Sequence, residues 1–565
     1  MKTWIEKPVL EPEIASRFPE MNPFVLRMLW NRGMQSQDAM DTFLSPDYAR
    51  DIHDPWLFSQ MKQAVDRITN AIHASERITI HGDYDADGVC ASAILSLTLE
   101  KLGADVHVFL PDREKDGYGL NANTVATLAS DGTKLIITCD CGISNKPEIE
   151  KAAELGMDVI VTDHHAQPLE LPDAAIAIIH PGVKGERYPF SGLAGGAVAW
   201  KLAHALIMND QGKHFSPGFE KWLLDLASIS TVADCMTLTG ENRTIVKFGL
   251  LVMAKTRWLG LRELLHMCRL DPTKLRAEDI AFRVAPRINA AGRMDHSNTA
   301  LQLLLSQRPS DAVQFAVNIE RNNTERGTAT ETMIAEVLEQ TGLQVDEQIL
   351  IAVGDHWRVG LLGLVAGRVM EQFRKPVLVI TKTANGFTGS CRSIPGFHLV
   401  EALQSADQML LKYGGHAPAA GFSIAEEKLE EFLAHMRKRA RELLGSGIPE
   451  QTLEIEAEIP LSAVDWNLSD ALTKFEPFGA GNPEPIVATR GVEIMQAMAV
   501  GSTGKHGKFV FRSGEKFLPA IGFGFGELAN QLSVGDVVDI AYAIQVNEWN
   551  GNRELQGVLK DLKHA

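Results

Sequence analysis

The stretch RITIHGDYDADGVCASAILSLTLEKLG, residues 77–103, joins an apolar run to a longer one through a loop that carries three carboxylates and a histidine. RITIH (77–81) reads as a buried strand and CASAILSLTLEKLG (90–103) as a helix stopped at Gly103. The same alternation continues outward. ADVHVFLP (104–111), KLIITCD (134–140), DVIVTDHH (158–165) and AAIAIIHP (174–181) read as further strands, with a helix over KPEIEKAAELG (146–156). Strands alternating with helices predict an α/β fold with a parallel, doubly wound sheet.

Beyond this lobe the pattern changes. GGAVAWKLAHALIM (195–208) opens a mostly helical stretch that includes a long candidate over 311–340. QILIAVGD (348–355), LLGLVAGRVMEQF (361–373) and PVLVIT (376–381) restart an α/β pattern. TLEIEAEI, KFVFRS, FLPAIGF, VVDIAYAIQVNEW and ELQGVLKDL then read as strands of a small β-barrel, with Asn550-Gly551 as a hairpin turn. The expected organisation is an amino-terminal arm (1–60) packed on the following domain, a catalytic lobe (61–240), a helical connection (241–345), a second α/β lobe (346–448) and an OB-like barrel (449–565).

The chain has 565 residues, long enough at about 150 per domain for several domains. Its net charge of −17 excludes a uniformly basic coat but permits a local basic groove. The six cysteines form no CxxC pair and are too sparse for a disulfide framework, which predicts a cytoplasmic protein. MKTWIEKPVLEPE carries charges where a signal peptide needs apolar residues, and no apolar run approaches about 18 residues, so neither export nor a membrane span is expected.

In an open parallel sheet, ligands bind beyond the carboxyl ends of the strands. These strands deliver His81, Asp83, Asp85 and Asp87 in one loop, Asp140 in a second and Asp163-His164-His165 in a third, with Asp234 closing a later apolar segment. A single Asp after a strand is ordinarily a helix cap or turn former. Three acidic loops at one sheet edge are different, because carboxylates crowded together repel and a shared divalent cation relieves them. Mixed carboxylate and imidazole donors suit Mn²⁺ or Mg²⁺, and two such ions activate water against a phosphorus ester. Cys139, Cys141 and Cys235 fit no structural zinc template and read as small buried hydrophobes; His180 reads as a satisfied loop histidine.

HGDYDADGV, TCDCGIS, VTDHH and ADCM resemble the four motifs of the DHH phosphoesterase superfamily, and PRINAAGRMDH (286–296) and YGGHAPAAGF (413–422) resemble extra motifs of one branch, whose second lobe is a DHH-associated domain. The resemblance implies a single-strand-specific 5′ to 3′ DNA exonuclease of recombination and repair. It implies two ions, Mn²⁺ or Mg²⁺, held by His81, Asp85, Asp87, Asp140, His164 and Asp234. Asp83 is left as an additional carboxylate, Asp163 is expected to orient His164, and His165 to face the scissile phosphate. Arg287, Asn289, Arg293, Arg392, Ser393, Gly414, Gly415 and His416 are expected to bind substrate phosphates, and Lys505, Lys508, Phe509, Phe511, Arg512 and Trp549 to contact the strand. Implied partners of the monomeric enzyme are single-stranded DNA, a single-stranded-DNA-binding protein and a helicase. The competing readings are a phosphodiesterase or pyrophosphatase for small substrates, cyclic dinucleotides among them, and an inactive DNA-binding scaffold.

Overall fold

The computed structural model describes residues 2–113, 115–344, 346–445, 451–549 and 551–564, and the chain divides into two units. One comprises His53–Met236 and Phe248–Pro449; the other comprises Met1–Ile52, Thr237–Lys247 and Glu450–Ala565.

The first lobe of the larger unit is built on five parallel strands in the order Asp105–Phe109, Arg77–His81, Thr133–Cys139, Asp158–Thr162, Ala177–Ile179. Helices cover both faces, so the central strands are buried on both sides rather than alternating: Ile78, Ile80, Leu135, Ile136, Ile137, Val159, Ile160 and Val161 are all buried. The helix Ala86–Lys101 follows the first strand and is itself buried through most of its circumference, because it packs on the sheet and against the helices Gly195–Asn209 and Leu224–Ala233. That burial holds its amino terminus, and the loop before it, rigidly at the carboxyl edge of the sheet.

The helix Pro309–Thr341 runs for 33 residues. Its first half buries Ala312, Ala316 and Ile319. Its second half buries Met333 and Val337 in the core of the second lobe. Two glutamines near its end behave like a neighbouring strand: Gln340 exchanges hydrogen bonds with the backbone of Val353 (3.0 and 3.1 Å) and Gln344 with that of Ile351 (3.0 and 2.7 Å). The edge strand Leu350–Gly354 is thereby covered.

The second lobe has a mixed sheet in the order Leu410–Gly415, Ala419–Ile424, Gly386–Arg392, Val377–Thr383, Leu350–Gly354. Only the last two strands are parallel. The YGGHAPAAGF segment forms a β-hairpin, and Gly415 takes φ +139° where a Cβ would meet the Ala419 carbonyl at 2.4 Å.

In the smaller unit, five strands, Val487–Val500, His506–Ser513, Lys516–Gly522, Val537–Trp549 and Asn552–His564, close into a barrel through pairing of the first with Val537–Trp549. Residues 1–52 differ from expectation. They complete the barrel's unit: Thr3–Glu6 pairs in parallel with Thr452–Ile455, and Leu26, Met28, Leu29 and Phe43 share one core with Phe475, Phe509, Phe511 and Tyr542. Short helices have no core of their own, so their apolar faces are buried only against a partner. The expected domain edges at residues 345 and 448–449, and Asn550 of the expected turn, lie outside the described residues.

One buried group in the larger unit makes the fold pH-dependent. Asp225 is fully buried and accepts from Thr256 Oγ1 (2.7 Å), Trp258 Nε1 (3.1 Å) and the Leu226 amide (2.8 Å). Desolvation pushes its carboxyl from 3.8 up to about 7. A carboxyl raised in the folded state favours folding at low pH, and that contribution is lost as pH rises from about 4 to about 7. Asp225→Asn keeps an acceptor oxygen without the ionisation. Between pH 5 and pH 8 the stability of the unchanged protein relative to this variant should fall by roughly 2 kcal/mol in denaturant unfolding; a pH-independent difference would contradict the assignment.

Candidate active site at the carboxyl edge of the parallel sheet

The three acidic loops meet. Among the described residues, three groups place donor atoms within 4.8 Å of one another: Asp83, Asp85 and Asp140; Asp87, His164 and Asp234; and Asp140, His164 and His165. His164 Nε2 lies 3.1 Å from Asp140 Oδ1, 3.6 Å from Asp234 Oδ2 and 3.7 Å from Asp87 Oδ2. His81 belongs to none of these groups. Asp83 and His165, which the sequence reading left behind the ligands, stand among them.

Several donors here are buried and have no hydrogen-bond partner: His81 Nε2, Asp83 Oδ1, Asp140 Oδ1 and His164 Nε2. Unpaired buried polar atoms each cost about 1–3 kcal/mol, and four side chains aiming unsatisfied donors into one region fit a shared cation. Desolvation first, and then the neighbouring carboxylates, hold the carboxyls of Asp83, Asp85 and Asp140 above their usual range and lift Asp234 to about 8. Burial lowers His81 to about 4. The His81 imidazole is therefore neutral at moderate pH, and the raised carboxyls resist ionisation in a way that a divalent cation would relieve.

Local structure fixes each side chain. Asp85 caps the helix Ala86–Lys101, accepting from the Asp87 (2.9 Å) and Gly88 (3.2 Å) amides. Asp87 is gripped by the start of the helix Gly195–Asn209: Gly195 N donates to its Oδ2 (2.9 Å), while Gly196 N and Ser230 Oγ donate to its Oδ1 (both 2.6 Å). Asp140 adopts φ +62°, a left-handed conformation that costs about 1 kcal/mol or more for a non-glycine residue. Asp234 caps the helix Leu224–Ala233 at its carboxyl end.

Asp163 takes a different partner from the one expected. Its Oδ1 accepts from His165 Nδ1 (2.8 Å) and from the His164 and His165 amides (2.7 and 3.1 Å), and Oδ2 accepts from Ile143 N (2.9 Å). It orients the His165 ring, not that of His164, because the chain turns immediately after the strand and brings the second imidazole back over the carboxylate. Although burial opposes both charges, this bond keeps Asp163 below its usual range and raises His165 to about 9. Tyr118 OH completes the arrangement at 3.0 Å from His165 Nδ1 and 3.0 Å from the Asp140 carbonyl.

The expected phosphate-binding residues divide. Arg293 remains near the cluster, within reach of the Asp85 charge, and Arg392 lies near Arg293; desolvation, then the like charges of Arg113, Arg326 and Arg392, lower Arg293 to about 10. Arg113, Gly292, Arg293, Arg358 and Gly360 line a cavity of about 180 Å³ where the two lobes meet. Arg287, by contrast, spends its fork on Glu320 (2.6 and 3.1 Å), and Ser393 Oγ donates to the Phe397 carbonyl (2.7 Å). Asn289 Oδ1 accepts from the Ala86 amide (2.8 Å). Gly414, Gly415 and His416 are exposed in the hairpin of the second lobe.

Cys139 and Cys141 are buried thiols, and burial lifts Cys139 to about 12; Cys235 is exposed, contrary to expectation, because it lies just past a helix end at φ +55°. His180 is satisfied by the His165 carbonyl (2.8 Å) and the Gly182 amide (3.0 Å). In the barrel, Phe509 and Phe511 stack on each other in the core, and Arg512 pairs with Glu493 (2.5 Å). Inward alternation along the strand claims both rings. The Trp549 side chain lies outside the described residues.

Sequence reasoning missed Tyr118, Arg113, Arg326 and the pair Gly195-Gly196. Only the glycine doublet before an apolar helix offered a signal, since bare amides at a helix start bind carboxylates.

Comparison with known proteins places the fold that carries this cluster. The chain matches the models of the DHH family N-terminal domain over residues 77–231, the DHHA1 domain over 346–442 and the RecJ OB domain over 455–561. It is 32% identical to the single-stranded-DNA-specific exonuclease RecJ of Escherichia coli (strain K12), covering 97% of both chains. This chain belongs to the RecJ family. RecJ of Bacillus subtilis (strain 168) is 36% identical over 96% of this chain and 68% of its own length. The crystal structure of RecJ from Thermus thermophilus in complex with Mn²⁺ superposes with a TM-score of 0.84 at 29% identity, covering 99% of this chain and 79% of that one.

The grip of the Gly195–Asn209 helix on the cluster is testable. A Cβ on Gly195 would meet Asp140 Cβ and Oδ1 at 2.6 Å. Gly195→Ala should lower stability by about 1–3 kcal/mol, typical of overpacking, and weaken divalent-cation binding at least roughly tenfold by displacing Asp140. Unchanged cation affinity in calorimetry would show that Asp140 is not needed in its observed place.

Proposed function

We propose that the chain is a metal-dependent exodeoxyribonuclease that degrades single-stranded DNA from the 5′ end to 5′-nucleotides, in DNA recombination and repair. The observation that carries this reading is the cluster of unpartnered buried carboxylate and imidazole atoms at the sheet edge of a RecJ-family chain. A donor set of oxygen and imidazole with protonated thiols nearby suits Mn²⁺ or Mg²⁺. One ion would be held by Asp87, Asp140, His164 and Asp234, and a second by His81, Asp85 and Asp140, with Asp83 beside them. When bound, such ions act as Lewis acids toward a phosphodiester and lower the pKa of water.

The chain's own residues supply the rest. His165, charged through its bond to Asp163, faces the scissile phosphate as a cation held in place by Tyr118. Arg113, Arg293, Arg326 and Arg392 hold phosphate oxygens with guanidinium forks. The phosphates thread between the two lobes of the larger unit, which admits an unpaired strand and excludes a duplex about 20 Å wide. Binding through phosphates is nearly sequence-neutral and weakens with salt. On the barrel, the outward neighbours of the buried rings are the strand contacts: Lys508, Phe517 and Phe523, of which the two rings are 51% and 65% exposed. No helix among the described residues is long and apolar enough to cross a membrane. A cytoplasmic monomer working with a single-stranded-DNA-binding protein and a helicase completes the reading.

Digestion of oligonucleotides labelled at either end tests it. With Mn²⁺ the protein should release label first from 5′-labelled single strands, leave blunt duplex largely intact and stop in EDTA. Asp140→Ala should reduce the rate by at least about 10³-fold while the protein stays folded. Rapid digestion of duplex, or wild-type rates from Asp140→Ala, would refute the proposal.

The barrel contacts are tested by point substitutions, because deleting residues beyond about 450 would strip the core that residues 1–52 share. Phe517→Ala with Phe523→Ala should weaken binding of long strands by about 1–3 kcal/mol per lost stacking contact and leave dinucleotide cleavage unchanged. Equal loss on dinucleotides would contradict this role.

A further inference from the structure

Three contacts of the helix Ala285–Met294 bear on the site, two of them to the loop that carries Asp83, Asp85 and Asp87. Asn289 Oδ1 accepts from the Ala86 amide at 2.8 Å. Gly292 sits so near the loop that a Cβ would meet the Tyr84 carbonyl at 2.6 Å. At its end, Arg293 Nη1 donates to the Gly360 carbonyl at 2.6 Å, at the start of the second-lobe helix Val359–Phe373.

A helix start leaves four backbone N–H groups without intrahelical acceptors. In the helix Ala86–Lys101 the three that follow the cap are accounted for. Asp85 Oδ1 takes the Asp87 and Gly88 amides and Asn289 takes Ala86 N, while the first intrahelical bond runs from Val89 N to the Asp85 carbonyl at 2.9 Å. Ala86 is 1% exposed, so its N–H depends on a protein acceptor, and Asn289 supplies it. Without it, a buried N–H loses its partner at the residue that lies between Asp85 and Asp87.

We propose that Asn289 is a positioning residue: it holds Asp85 and the metal loop in their ligating geometry by satisfying Ala86 N, and it does not contact the DNA. Through Arg293 and Gly360 the same helix ties that loop to the second lobe. The proposal rests on the reading that this loop holds divalent cations.

Calorimetric titration of Mn²⁺ into the DNA-free full chain, with binding of a labelled single strand in EDTA, separates the two roles. Asn289→Ala should weaken Mn²⁺ binding roughly tenfold or more, as loss of a residue supporting a ligand does, while the affinity for DNA in EDTA stays unchanged. Asn289→Asp keeps an acceptor for Ala86 N; it should restore Mn²⁺ affinity and leave KM for single strands unchanged. A carboxylate at a phosphate contact would instead repel the strand. An unchanged Mn²⁺ affinity in Asn289→Ala, or a KM raised roughly tenfold in Asn289→Asp, would overturn the proposal. If Asn289→Ala does not fold, the KM and Mn²⁺ affinity of Asn289→Asp decide alone. Failure of the unchanged chain to bind Mn²⁺ would overturn the metal reading itself, which a defect confined to the variants would not.

Discussion

Mutual repulsion of carboxylates in a buried place is the constraint around which the larger unit is organised. Asp83, Asp85, Asp87, Asp140 and Asp234 converge at one sheet edge, where desolvation and the neighbouring charges disfavour ionisation of Asp83, Asp85, Asp140 and Asp234. Such a cluster persists only if the surrounding structure holds each group in place. Here the holding is done by backbone: the start of one helix grips Asp87, another is capped by Asp85, and Asp140 is kept in a left-handed conformation by the turn after its strand.

The helices around the cluster are therefore more than covering layers. The Ala86–Lys101 helix is apolar on nearly all sides because its neighbours must immobilise it. The small residues Gly195, Gly196 and Gly292 stand where backbone or side chain of the site approaches too closely for a Cβ. The long helix carries Glu320, which neutralises Arg287, and ends in two glutamines that bind it to the second lobe. Arg113, Arg293 and Arg358 gather with Asp112 and Asp295 where the lobes meet, so an acidic protein places three guanidinium groups around one cavity.

Much of this was legible in the sequence. The five strands of the first lobe and their acidic ends follow from apolar runs punctuated by Asp and His, since strand period and loop chemistry are local properties. What escaped depends on tertiary contacts. Nothing local says that Asp163 will turn to His165, that Arg287 will meet Glu320 thirty-odd residues on, or that Asn289 will reach back to Ala86. Phe509 and Phe511 carried an ambiguous signal because alternation marks a strand without saying which face is inward. Residues 1–52 were misplaced for a related reason: the parallel pairing of Thr3–Glu6 with Thr452–Ile455 joins segments at opposite ends of the chain.

The claim that the carboxylate cluster is a two-cation site is tested most directly by counting ions and protons together. Titration of Mn²⁺ into the metal-free protein, followed by calorimetry in buffers of different ionisation enthalpy, reports both. Asp234, lifted to about 8, must ionise to bind, so two ions per chain should bind with release of protons, and affinity should rise with pH. Binding of no ion, or binding without proton release at neutral pH, would contradict the account.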